Sequence, residues 1–142
     1  MKPRPLRLAV SVCLALAASQ SVADEQIRLD YLLHCSGCHL PTGEGANGVR
    51  GLKELGPIVA RPGGRAYLVQ VPDASQTPIT DANLAQITNW VLQEFNAETL
   101  PTNFVPLTEQ EVSEARVVTL MDPRRRRAQI LSAEPILDKS YR

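Results

Sequence analysis

The stretch Cys35-Ser36-Gly37-Cys38-His39 decides the fold. Two thiols separated by two residues, with an imidazole next in line, suit one chemistry above others. The thiols can form thioethers with the two vinyl groups of a haem, and the imidazole can ligate its iron. Gly37 fits such a tight segment, because a residue without Cβ lets the backbone pass close to the macrocycle. Three other readings compete. A cysteine pair in an exported protein can close a disulfide. A thioredoxin-type redox pair has the same spacing, but it needs a strand before it and a βαβ sheet around it, and the segment before Cys35 has helical character. Zinc would take four ligands, and Cys35, Cys38, His39 and His34 would crowd all four into six residues, too tight for a tetrahedron.

Upstream, Met1 to Ala23 has the pattern of a secretory signal peptide. Lys2, Arg4 and Arg7 form the charged start, Leu8 to Ala18 the apolar stretch, and Ser21-Val22-Ala23 the small residues of a cleavage site. An apolar run of about eleven residues is short against the roughly 20 that a spanning helix needs. Asp24 is therefore the expected mature N-terminus, and Cys13 is a passenger in the discarded segment. The mature chain is expected in the periplasm, where bacterial haem is attached covalently, and no later apolar run is long enough to span a membrane.

The chain has 142 residues, enough for one small domain, with 15 basic and 15 acidic side chains. That balance excludes a general nucleic-acid binder. Removing Lys2, Arg4 and Arg7 leaves 12 basic against 15 acidic residues, a net charge of −3. The remaining charge is uneven: residues 24–104 carry −4 and residues 105–142 carry +1.

Around the haem motif, Ile27, Tyr31 and Cys35 recur every four residues, so one helix face turns Ile27 and Tyr31 inward and delivers Cys35 to the site. Leu40-Pro41-Thr42-Gly43-Glu44-Gly45 follows as a glycine-bearing loop. Thr80-Asp81 opens a helix with Leu84, Ile87, Val91, Leu92 and Phe95 on one face and Trp90 on its flank. On these features, residues 25–96 resemble a small class I cytochrome c. The resemblance implies an all-α fold of about three to four helices around one covalent haem c. The domain would occupy residues 24–97, with a linker and a helical, arginine-bearing extension over 98–142. It further implies that Cys35 and Cys38 hold the haem, that His39 is the proximal ligand, and that Tyr31 meets Trp90 or Val91 where the first and last helices cross. Pro57 is the match for the family's proline behind the proximal histidine, although loop length places Arg50 or Lys53 there.

The sixth iron ligand departs from the family pattern. The usual methionine lies roughly sixteen residues ahead of the helix aromatic, which here falls on Ala74, and no methionine occurs between His39 and Leu120. His34 adjoins Cys35 on the proximal side and cannot reach the opposite face. Three options stay open: Met121 folding back from the tail, a weaker donor such as Gln70 or Gln76, or an open position for water or a diatomic ligand.

Past Asn96, Pro101 and Pro106 punctuate a linker, and Thr108-Glu109-Gln110-Glu111 matches a capping box. Val112, Ala115, Arg116 and Thr119 share a face, with Val117, Val118 and Leu120 as further apolar cover up to the break at Asp122-Pro123. Arg124-Arg125-Arg126-Arg127 precedes Ile130 and Leu131 in a short helix or docking arm. The four arginines suit an acidic partner, a membrane surface, haem propionates or simple solvation. The expectation is a non-enzymatic electron carrier between a periplasmic dehydrogenase or oxidase and the respiratory chain. The alternative is a haem protein that binds or senses a diatomic ligand. Partner identity and oligomeric state are not legible.

Overall fold

The computed structural model describes residues 23–135. Residues 1–22 of the expected leader, including Lys2, Arg4, Arg7 and Cys13, lie outside the described residues, as do residues 136–142. Among the described residues there are helices and no strand. No helix among them is long and apolar enough to cross a membrane.

Helix α1 covers residues 23–34 and is followed after Cys35 by α2, Ser36–His39. Next come α3, Gly56–Val59, α4, Gly64–Gln70, and α5, Pro72–Ser75. The long α6, Asp81–Asn96, completes the segment expected to be the domain. The extension adds α7, Glu109–Arg116, and α8, Pro123–Ser132. Residues 24–97 thus hold six helical segments rather than three to four, because α2, α3 and α5 are single turns of four residues. Proline stands in the first turn of both α3 and α5, where its missing N–H costs nothing.

The α1 and α6 faces meet as their periodicity requires. Tyr31 is fully buried, with its ring 5.1 Å from that of Trp90 and 5.7 Å from that of Phe95. Leu84, Ile87, Val91 and Leu92 of α6 are buried alongside, together with Ile58, Val59, Tyr67 and Val69 from α3 and α4. Thr80 caps α6 by accepting from the Asn83 N–H at 3.1 Å.

A buried asparagine ties the middle loop to α6. The Asn96 side chain accepts from the Leu55 N–H at 2.8 Å and donates to the Leu52 carbonyl at 2.7 Å. Asn89 does the same for the tail, accepting from the Leu107 N–H at 2.7 Å and donating to its carbonyl at 2.9 Å.

The extension packs against the rest of the structure, α7 on α4 and α6, and α8 on α3 and α4. The capping box at Thr108 and Glu111 forms in full. Helix α7 nevertheless stops at Arg116, and Val117 and Val118 are exposed instead of covering the core. The β-branched run Val117-Val118-Thr119 is a poor helix former, and the Leu120 N–H leaves the helical pattern to donate to the Gln70 carbonyl at 2.9 Å. Asp122-Pro123 both breaks the chain and starts α8, since Asp122 caps it by accepting from the Arg125 N–H.

Arg65 joins α4 to α7 through paired bonds of 2.9 and 2.8 Å to the Glu111 carboxylate, and its guanidinium also donates to the Val105 and Pro106 carbonyls. These bonds to Arg65 hold the Glu111 carboxyl below its ordinary value of 4.5, with burial opposing them weakly.

Two outcomes follow from this packing. Asn96→Ala leaves a buried N–H and a carbonyl unpaired and should cost about 3 kcal/mol, read as a fall in the urea midpoint. A lowered carboxylate contributes stability that is present above its unfolded value near 4.5 and is lost as pH falls through the lowered value. Glu111→Gln, which keeps an acceptor for the cap, should therefore cost no more than about 1 kcal/mol at pH 7 for this half-exposed pair, and the difference from wild type should vanish in acid.

Candidate functional site

Cys35 sits one turn beyond Tyr31, its N–H donating to the Tyr31 carbonyl at 2.8 Å. The Cys35 carbonyl in turn accepts from the N–H groups of Cys38 at 3.2 Å and His39 at 3.1 Å. This single-turn continuation of α1 brings both thiols and the imidazole together on one short segment. The Ser36 hydroxyl donates to the Leu32 carbonyl at 2.7 Å and satisfies the end of α1.

Leu40 ends the segment with φ at +53°, an uncommon conformation for a leucine. The Tyr31 hydroxyl holds it there, donating to the Leu40 carbonyl at 2.6 Å. Burial, followed by the neighbouring Cys35, pushes the phenol up to about 12, so it remains a donor. Past Leu40, Gly43 adopts φ of +78°, and a Cβ there would stand 2.7 Å from the Phe95 ring. The loop is pinned back onto the motif where the Ala46 N–H donates to the Cys38 carbonyl at 2.9 Å.

The two cysteines are not bonded to each other; Cys35 is half-buried and Cys38 exposed. Burial, then the proximity of Cys38, pushes the Cys35 thiol up to about 11. His39 is half-buried, and its Nδ1 is buried without a hydrogen-bond partner. Burial lowers its pKa, while the Arg50 carbonyl and the Asp73 charge pull the other way. A ring kept neutral by burial retains a lone pair for coordination.

The backbone of Arg50, at the position that loop length indicates, acts on the His39 ring against the effect of burial. Pro57 lies in α3, where its carbonyl accepts from Arg61. Among the described residues, no three His, Cys, Asp or Glu side chains are grouped to hold a metal ion.

The residues considered for the sixth position are scattered. Met121 is 96% exposed. Gln70 donates through its side chain to the Ala115 carbonyl at 3.3 Å, and Gln76 is exposed. His34 is exposed at the end of α1.

The four arginines divide. Arg127 is buried and meets Glu54 at 3.2 Å, and Arg126 lies against Gly63 ahead of α4. Arg124 and Arg125 are exposed. Buried Tyr67 feels the charges of Arg127 and Arg50, though burial dominates and raises its pKa. Neither Asp73 nor Tyr67 carries a local motif, and only the fold lets the charge of Asp73 act on His39 and those of Arg127 and Arg50 act on Tyr67.

The chain matches no family model, and no curated protein matches its sequence.

The thiols should differ in reactivity. With its thiol pushed up to about 11 from an ordinary 9.0, Cys35 has roughly 100-fold less thiolate at a given pH than an unperturbed thiol. Iodoacetamide titration of the reduced, haem-free chain at pH 8, followed by peptide mass mapping, should label Cys38 first and Cys35 much later.

Proposed function

We propose that the protein is an exported monohaem c-type cytochrome that carries single electrons between a periplasmic dehydrogenase or oxidase and the respiratory chain. The observation that carries this reading is His39. Its imidazole is half-buried, with a buried, unpartnered Nδ1 and a pKa lowered by burial, one residue from an exposed thiol and one turn from a second. The thiols are free to form bonds outside the chain. Gly37 supports the fit, because it has no positive φ and a Cβ there would meet no protein atom within 4 Å. The chain's own packing does not require glycine at that position.

Haem c bound at Cys35 and Cys38 supplies the one-electron couple. The chain's residues do the rest. His39 would ligate the iron, and Tyr31 fixes the segment carrying it by anchoring the Leu40 carbonyl. Trp90 and Phe95 pack against Tyr31 and keep water from the back of the motif. Arg127 and Arg50, whose charges both act on Tyr67, would compensate the propionates. Partner contact would be brief and small, as electron-transfer encounters usually are.

The second reading, a haem protein that takes up a diatomic ligand, is favoured by Met121. Its side chain is offered to solvent, and Gln70 is already engaged with the tail, which leaves the sixth position without a seated protein donor.

Optical spectra of the oxidised and reduced protein, with and without carbon monoxide, separate the two readings. A low-spin six-coordinate reduced spectrum that ignores carbon monoxide supports the electron carrier, and a new carbon monoxide band supports ligand binding. Met121→Ala should leave both spectrum and potential unchanged; a shift in either would make Met121 the distal ligand.

A further inference from the structure

The connection between α7 and α8, residues 117–122, presents apolar side chains to water from a firmly held backbone. Val117 is 79% exposed, Val118 52% and Met121 96%. Three large apolar side chains within five residues form a patch of the kind that marks a docking surface. Met121 stands off the body of the protein with almost no contact to it.

That exposure is built into the fold. Arg116, just ahead of the patch, has a side chain only 13% exposed and donates to the Ser75, Thr77 and Ile79 carbonyls and to Asp81 Oδ1. Within the patch, the Thr119 and Ser75 hydroxyls bond at 2.9 Å, and the Leu120 N–H donates to the Gln70 carbonyl at 2.9 Å. Just past it, Asp122 accepts from the Arg125 N–H at 2.9 Å through its carboxylate and from the Arg126 N–H at 3.1 Å through its carbonyl. Residues 116, 119 and 120 are thus tied to the body of the protein, and Val117, Val118 and Met121 are left outward on a backbone that needs little further ordering to bind.

Charge selects what covers the patch. Arg124 and Arg125 are exposed three and four residues beyond Met121, and residues 117–126 carry three arginines against one acidic residue, Asp122. A second exposed apolar pair, Leu29 and Leu33, shares α1 with Asp24, Glu25 and Asp30, and the Arg28 guanidinium is engaged with Glu25 at 3.5 Å. An anionic surface would repel that face of α1 and attract the α7–α8 connection. Guanidinium forks fit phosphate oxygens, and the aliphatic side chains beside them call for an apolar layer just beneath. A phospholipid surface supplies both layers and, being fluid, needs no pocket shaped for Met121. We propose that the α7–α8 connection docks the protein on an anionic phospholipid surface, with Val117, Val118 and Met121 entering the acyl boundary and Arg124 and Arg125 holding lipid phosphates. The inference does not rest on the haem reading, because none of these residues belongs to the Cys35–His39 site.

The test is co-sedimentation of the full-length exported protein with vesicles of phosphatidylglycerol and phosphatidylcholine in equal parts, and with vesicles of phosphatidylcholine alone. At low salt, binding to the mixed vesicles should be at least about tenfold tighter, and molar salt should remove most of the difference. The double variant Arg124→Gln/Arg125→Gln should lose about tenfold in affinity for the mixed vesicles, and Val117→Ser/Met121→Ser at least about fivefold. Amide hydrogen exchange on the vesicles should slow over residues 117–125 and stay unchanged over α1. Equal binding to the two vesicle types, wild-type affinity in either double variant, or protection confined to other segments would overturn the proposal. Binding to neither vesicle would also overturn it and leave the patch to a protein partner. Should a double variant lose its helical circular dichroism, the single Met121→Ser variant carries the same readout, and wild-type affinity in it overturns the proposal equally.

Discussion

Tyr31 is the interaction on which the rest depends. Its ring fills the crossing of α1 and α6 against Trp90 and Phe95, and its hydroxyl anchors the Leu40 carbonyl at 2.6 Å. One side chain thus couples the hydrophobic core to the chain direction immediately after His39. Without that anchor, the positive φ of Leu40 would be held only by backbone bonds, its N–H to the Ser36 carbonyl and its carbonyl to the Gly43 N–H. An aromatic ring of this size in a dry contact with two others contributes more than its area alone, because edge-on and tilted pairs are favourable in themselves.

Much of this was legible from residue spacing. Ile27, Tyr31 and Cys35 lie on one face because of a four-residue repeat, and Tyr31 does meet Trp90. Thr80 and Thr108 each cap a helix, because a hydroxyl ahead of a periodic apolar run has few other uses. The single turns α3 and α5 escaped notice because four residues cannot display a period. The end of α7 was placed too late, since the apolar count through Val117 and Val118 outweighed their poor fit to a helix. Asp122-Pro123 was legible as a stop but equally encodes a start, an N-cap followed by proline.

The parts of the site that escaped the sequence are backbone and long-range contributions. A backbone group has no letter, so only the fold shows that the Arg50 backbone acts on His39. Asn96 and Arg116 resemble ordinary polar residues in a helix, and their value lies in bonds to residues between 5 and 44 positions away. The run of four arginines suggested a uniform patch, yet the helical turn sends Arg127 into the interior toward Glu54 and leaves Arg124 and Arg125 in water.

The tail is thus continuous with the body of the protein, packing α7 and α8 on the core and bonding residues 75–81 through Arg116. The central claim, that Cys35 and Cys38 hold a haem, is tested most directly by intact mass and a pyridine haemochrome spectrum of protein exported with the covalent-attachment machinery. The account predicts one haem per chain that survives denaturation and is lost when both cysteines are replaced by alanine. A mature chain that carries no haem, with the two thiols free or joined as a disulfide, would contradict it.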